Sequence, residues 1–255
     1  VTGRRMMAGL APALVAAALA IAAPAARAAD PDTCPPTAQP ALALPRFADA
    51  ATSPAGVRII TFGSSSTAGA GASEPRRAYP PQLEERLGRA LAGVSVTVVN
   101  RGASGEDVTH MLARIDTEVL ARSPDLVVWQ VGANAALRRM DPERFRQNLR
   151  TGLERLRGAG VDVVLLDNQR APAIVAQPGH RDYDGILAEV AAAVPGVRLF
   201  SRGALMEAWA EAGVPPSALI SPDGLHHNDR GYACLAEALA EALLAGLPER
   251  ALAAR

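Results

Sequence analysis

The chain has 255 residues, 49% of them hydrophobic, which is enough for one well-packed domain with a short appendage. Its 26 basic and 26 acidic residues balance to a formal net charge of +0, so it lacks the basic excess expected of a nucleic-acid partner. Every basic residue other than histidine is Arg, which excludes Schiff-base lysine chemistry and a P-loop lysine.

In chain order, the first stretch reads as an address. Arg4 and Arg5 precede an Ala/Leu-rich run from about Met7 to Ala23, and Ala26-Arg27-Ala28 offers a small-x-small exit. That pattern predicts a secretory signal at 1–28 and a periplasmic or secreted product, with no stable membrane anchor after cleavage. An N-terminal anchor is the weaker reading, because the run is mostly Ala and carries Gly9, Pro12 and Pro24. Residues 29–55 are rich in Pro, Ala and Thr without a period and read as an extended arm. Cys34 lies in this arm and Cys234 near the other end; an oxidising compartment permits them to pair, the alternative being two unrelated thiols.

The folded domain is expected over 56–247, with a tail at 248–255. Val57–Phe62, Val94–Asn100, Leu126–Val131, Val161–Leu166 and Val197–Phe200 read as buried strands. Between them apolar residues recur at three- and four-residue steps, as in Val108, Met111, Leu112, Ile115 and Val119, or Phe145, Leu149, Leu153 and Leu156. Tyr232, Leu235, Ala236, Leu239 and Leu243 repeat the pattern. Apolar strands alternating with amphipathic helices predict an α/β fold, a parallel sheet covered on both faces, with function at the carboxyl ends of the strands.

Four polar clusters fall at or near those ends. Gly63-Ser64-Ser65-Ser66-Thr67-Ala68-Gly69 follows the first strand, and Asn100-Arg101-Gly102-Ala103-Ser104-Gly105 the second. Gly132-Ala133-Asn134 follows the third, and Asp223-Gly224-Leu225-His226-His227-Asn228 precedes the last helix. Taken singly, each also suits a turn or a helix cap. The four histidines are His110, His180, His226 and His227; with no His-Glu-x-x-His and no Cys-x-x-Cys, no metal site is expected.

Taken together and in this order, the clusters resemble the SGNH hydrolases, also called GDSL esterases. The first block of that family reads Gly-Asp-Ser-x-Thr-x-Gly, matched by Gly63, Ser65, Thr67 and Gly69; the second reads Asn-x-x-x-Ser-Gly, matched by Asn100, Ser104 and Gly105. The third reads Gly-x-Asn, matched by Gly132 and Asn134, and the last Asp-x-x-His, matched by Asp223 and His226. The resemblance runs from about Val57 to Leu244. It implies a three-layer α/β/α sandwich with a five-stranded parallel sheet of order 2-1-3-4-5. It also implies a serine ester hydrolase with Ser65 as nucleophile, His226 as base and Asp223 as its orienting carboxylate. The oxyanion donors would be the Ser65 and Gly105 backbone N–H groups and the Asn134 amide, with no cofactor and no metal.

Two departures are visible. The family's Asp before the nucleophile is Ser64, and the Asp after the third-block Asn is Ala135; both are expected at the edge of the site. The loop after the fourth strand, from Asp167 to His180, is expected to border the pocket, with Arg170 or His180 as weak candidates for meeting an anionic or sugar group. The expected substrate is a small or carbohydrate-linked acyl ester, most simply acetyl. The competing readings are a lysophospholipase or thioesterase, a sugar O-acyltransferase, and a carbohydrate-binding domain that has lost catalysis.

Overall fold

The structure is a computed structural model, and it describes residues 1, 3, 33–35 and 39–248. The expected leader at 1–28 therefore lies almost wholly outside the described residues, as does the tail beyond 248.

The described part of the chain opens with α1 (Pro45–Ala50) and β1 (Val57–Gly63). The order continues α2 (Ser65–Ala68), α3 (Tyr79–Ala90), β2 (Val96–Gly102), α4 (Val108–Arg114) and β3 (Leu126–Gln130). After these come α5 (Ala133–Leu137), α6 (Pro142–Gly158), β4 (Asp162–Leu166), α7 (Pro172–Val175), α8 (His180–Ala193), β5 (Val197–Phe200), α9 (Arg202–Glu211) and α10 (Asp229–Ala245). The five strands pair in parallel in the order β2-β1-β3-β4-β5, as the sequence implies.

The pleat explains why these strands lack polar alternation. Ile59, Leu126, Val128, Val164 and Leu166 face one layer of helices, with Leu83, Leu87, Leu235 and Leu239 of α3 and α10. Their neighbours Ile60, Phe62, Val127, Trp129, Val163 and Leu165 face the other, with Leu149, Leu153, Leu187 and Val190 of α6 and α8. Successive side chains of a strand point to opposite faces, so a sheet covered on both sides must be apolar throughout.

The described end of the predicted arm differs from expectation. Leu42, Leu44, Phe47, Ala50 and Ala51 are all buried in the first layer, and Pro45 opens α1. No side chain at the cap position serves the first N–H groups of that helix. Asp162, the first residue of β4, does so instead, accepting from Arg46 N at 2.8 Å and Phe47 N at 3.2 Å. A carboxylate from 115 residues away thus satisfies a helix N-terminus, a partner that composition alone does not reveal. Further back, Cys34 and Cys234 form a disulfide, tying the same stretch to α10.

Candidate active site

The carboxyl ends of β1, β2 and β3 bring the four polar clusters together. β1 ends at Gly63, and Ser65 opens the single turn of α2. The turn is braced from two sides. Asn100 of β2 donates through Nδ2 to Thr67 O at 2.8 Å and accepts from Gly102 N at 2.8 Å. Gln130, the last residue of β3, accepts at Oε1 from Ser64 N at 3.0 Å and from the Ser64 hydroxyl at 2.9 Å. Both braces hold the backbone that carries Ser65 while leaving its side chain half-exposed.

The Asp223–His226 segment meets that serine from the far end of the sequence. His226 Nε2 lies 2.8 Å from Ser65 Oγ, and Nδ1 lies 2.6 Å from Asp223 Oδ2. With Nδ1 carrying its proton toward the carboxylate, Nε2 is left to accept from the serine hydroxyl. Burial raises the Asp223 pKa, but hydrogen bonds from the His226 ring, the Ser221 hydroxyl and the His226 and Leu225 backbone N–H groups outweigh it. The carboxyl is held well below the usual range and stays ionised. Ser221, which donates to Asp223 Oδ1 at 2.6 Å, is a partner the sequence did not flag.

Gly105 lies in the exposed turn after β2, and Asn134 lies in α5 just beyond β3. Asn134 Nδ2 donates to Glu106 O at 2.7 Å, which ties the third block to the residue that follows the second. One hydrogen of that amide is committed to the carbonyl; the other remains for a further acceptor.

Three expectations are corrected. Ser64 and Ala135 do not form an open edge of the site: both are buried, Ser64 on Gln130 and Ala135 on the inner face of α5. Arg170 does not project toward a substrate. Its guanidinium donates to Asp184 Oδ2 and Glu207 Oε1, each at 2.7 Å, and so ties α8 to α9. His180 opens α8, and its Nδ1 lies 3.0 Å from Gln177 O.

The start of the Asp167–His180 loop is likewise structural, since Asp167, Asn168 and Gln169 are buried. The organiser there is Arg202, a fully buried guanidinium that sequence reasoning missed. It donates twice to Asp167 O, at 3.0 and 2.8 Å, and to Gln169 Oε1 at 2.5 Å. Gln169 Nε2 in turn donates to Leu225 O at 3.0 Å, inside the segment that carries His226. Burial pushes the Arg202 pKa down, against the opposing pull of Asp167.

A polar cavity of about 590 Å³ opens at the opposite, amino end of the sheet, lined by Arg46, Asp49, Arg58, Ser95 and Asp125 among others. It contains none of the candidate site residues read from the sequence. Among the described residues no group of three or more His, Cys, Asp or Glu could hold a metal ion.

Residues 30–249 match the sequence profile of the non-GDSL lipase-like family. The chain belongs to that family. Among the relatives of this non-GDSL lipase-like protein is an arylesterase of Vibrio mimicus, 26% identical over 198 residues, covering 78% of this chain and 94% of the relative. Esterase TesA of Pseudomonas aeruginosa is 32% identical over 114 residues, covering 45% of this chain and 55% of TesA. A similar fold is seen in the crystal structure of a two-domain esterase active on acetylated mannans, with a TM-score of 0.65 and 22% identity. That match covers 80% of this chain, which spans about half (52%) of the two-domain esterase. The non-GDSL lipase-like protein is thus an SGNH hydrolase and a carboxylic ester hydrolase. The family's description suits the Gly63-Ser64-Ser65-Ser66 run, where Ser64 replaces the Asp of the GDSL block.

Proposed function

We propose that this chain is an exported serine esterase that cleaves short acyl esters, acetyl foremost, from small or carbohydrate alcohols, with Ser65 as nucleophile. The observation that carries the reading is the continuous hydrogen-bonded line from Ser65 Oγ through His226 to Asp223, at 2.8 and 2.6 Å. A serine hydroxyl is a poor nucleophile at neutral pH and needs a base in hydrogen-bond contact. His226 takes the proton as Ser65 attacks the ester carbonyl, and the imidazolium is stabilised by the ionised Asp223. As the tetrahedral intermediate collapses, His226 returns that proton to the leaving alcohol. Water then repeats the sequence on the acyl-enzyme.

The developing oxyanion requires fixed donors. The Ser65 and Gly105 N–H groups and the uncommitted hydrogen of the Asn134 amide are assigned that role. Loss of one such donor typically costs about 3 kcal/mol of barrier.

The acyl preference follows from what is spent on connections. The described helices and strands use most of residues 56–247, and the loop after β4 is taken up by the buried Asp167–Gln169 run and by α7. A long acyl chain needs a deep apolar slot, since each buried methylene contributes about 0.8 kcal/mol. Export is supported by the leader-like pattern at 1–28 and by the Cys34–Cys234 disulfide, which suits an oxidising compartment. Among the described residues no helix is long and apolar enough to cross a membrane.

The test is fluorophosphonate labelling combined with a nitrophenyl ester series from acetyl to palmitoyl. Label on Ser65, loss of hydrolysis in folded Ser65→Ala, and kcat/KM falling with acyl length are expected. Label on Ser64 or Ser66, or none on folded protein, defeats the nucleophile assignment. A rate maximum at medium or long chains defeats the acetyl preference and moves the protein toward lysophospholipase or thioesterase activity.

A further inference from the structure

The turn that carries Gly105 presents a mechanical problem. Gly105 has φ +80, a left-handed conformation, and residues 104 and 105 are exposed. A Cβ built at Gly105 would meet nothing nearer than Arg138 Nη2 at 3.9 Å. Within the turn the restraint is one long hydrogen bond, Glu106 N to Ala103 O at 3.4 Å, although the Gly105 N–H has to hold one direction to stabilise an oxyanion. Glycine is the residue that loses most conformational freedom on ordering, so a restraint from outside the turn adds to what this one bond supplies.

Two side chains of α5 and its end do so. Asn134 holds Glu106 O at 2.7 Å, and Arg138, one helical turn later, donates through Nη2 to Gly105 O at 2.5 Å. Two consecutive carbonyls of the turn are thus gripped from one short helix. The other branch of Arg138, Nη1, donates to Asp107 Oδ2 at 2.9 Å. Asp107 is itself fixed, being buried and accepting at Oδ1 from Thr109 N at 3.0 Å and His110 N at 3.5 Å, with the His110 ring Nδ1 at 2.9 Å. The planar guanidinium fork therefore spans from the carbonyl of an exposed turn to a buried carboxylate, a geometry that a single lysine ammonium does not reproduce.

We infer that Arg138 is a positioning residue of the oxyanion site: by holding Gly105 O it fixes the Gly105–Glu106 peptide, and so anchors one side of the residue whose own N–H, in the preceding peptide, faces the reacting carbonyl. The inference rests on the assignment of Gly105 and Asn134 as oxyanion donors given above. An interaction that acts only on the transition state should change kcat and leave KM nearly alone.

The experiment compares Asn134→Ala, Arg138→Met, Arg138→Lys and the Asn134→Ala/Arg138→Met double variant on nitrophenyl acetate. It also measures inactivation rates with a nitrophenyl organophosphate, whose phosphoryl oxygen must enter the same site, and thermal unfolding to establish that each variant folds. Asn134→Ala is expected to lower kcat by on the order of 10²–10³-fold. Arg138→Met should lower kcat by on the order of 10–100-fold, with KM within about twofold, and slow inactivation in parallel. Arg138→Lys should fall between Arg138→Met and the parent enzyme. The double variant should lose less than the product of the two single losses, because both act on one turn.

If Arg138→Met is folded and retains kcat while Asn134→Ala is impaired, the positioning role fails and the oxyanion assignment stands. If Asn134→Ala itself retains kcat, that assignment fails first. A rise confined to KM would make Arg138 a substrate contact, and strict multiplication in the double variant would make it an independent contributor; either result overturns the inference. Should Arg138→Met fail to fold, Arg138→Lys decides alone by its split between kcat and KM.

Discussion

His226 and His227 are neighbours in the chain and face opposite ways. His226 Nε2 lies 2.8 Å from Ser65 Oγ, whereas His227 is fully buried, with Nδ1 3.2 Å from Leu219 O and its ring edge-on to Tyr232 at 5.5 Å. The backbone is extended enough at this point for Ile220 and His227 to form an antiparallel bridge, and extended neighbours point apart. One histidine is available for chemistry and the other for packing.

The two should therefore fail differently. His226→Ala is expected to lower kcat by on the order of 10⁴-fold or more while leaving the melting temperature nearly unchanged. His227→Ala should destabilise the fold by about 2–4 kcal/mol, through the cavity and the lost hydrogen bond, with far less effect on kcat per folded molecule. Parallel kinetics and denaturant titrations separate the outcomes, and the reverse ranking would remove His226 as the base.

His227 also predicts a pH dependence of stability. Burial, with Arg202 adding to it, lowers its pKa from 6.5 to about 3. Between those values the unfolded chain binds a proton that the folded chain refuses, so stability is full above about 6.5 and is lost as pH falls toward 3. Asp167 works the other way: burial raises its pKa from 3.8 to about 6, so it adds stability as pH falls through that window. His227→Gln should therefore flatten or reverse the loss between pH 6.5 and 4, and Asp167→Asn should steepen it. Denaturation at a series of pH values reads both slopes, and unchanged slopes in both variants would contradict the assignment.

Reduction of the Cys34–Cys234 disulfide should destabilise the fold without touching the chemistry. The two cysteines are 200 residues apart, and in the chain-entropy model so long a cross-link contributes about 5 kcal/mol, an upper bound. The Cys34→Ser/Cys234→Ser variant should melt lower than the oxidised protein, and reductant should lower the oxidised protein to match, with kcat at moderate temperature retained. A melting temperature insensitive to reductant would show that the stretch is held by Leu42, Leu44 and Phe47 alone.

Gly71→Ala is expected to damage activity from outside the reacting groups. Gly71 has φ +89, and a Cβ there would lie 2.4 Å from His227 O and 2.8 Å from His226 Cβ. Backbone strain of about 1–3 kcal/mol combines with a forced shift of the histidine segment. A lower kcat together with a lower melting temperature is the expected result; normal kinetics would show that the loop after α2 yields instead.

The sheet was legible because a doubly covered parallel strand must be apolar on both faces, and the five runs from Val57 to Phe200 are. Ser65, His226 and Asp223, which the structure joins by hydrogen bonds, could be picked out because each sits in a short block whose order along the chain is informative. What stayed hidden acts across long separations from unremarkable positions. Gln130 falls inside the strand read over Leu126–Val131, and Arg138 and Arg202 belong to none of the polar clusters, yet their contacts span 66, 33 and 35 residues. Arg170 shows the converse: a charge in a loop near the site suggests a ligand, but Asp184 and Glu207 were there to neutralise it. The 29–55 stretch reads as an arm because it is rich in Pro, Ala and Thr without a period; the helix in its described part is only six residues long and takes its cap from β4, so neither leaves a local signal.

The segment that carries Asp223 and His226 is closed on itself: Ser221 N donates to His226 O at 2.8 Å, Asn228 N to Leu219 O at 3.0 Å, and the Ser221 hydroxyl to Asp223. The acid and the base are therefore oriented largely by contacts made within ten residues, to which Gln169 and Ala173 add one each from the stretch after β4. Ser65 stands 161 residues away from His226 and can be reached only when β1 and the start of α10 have both docked. During refolding, esterase activity is thus a reporter of that long-range docking, and it should return no earlier than the spectroscopic signals of helix and strand.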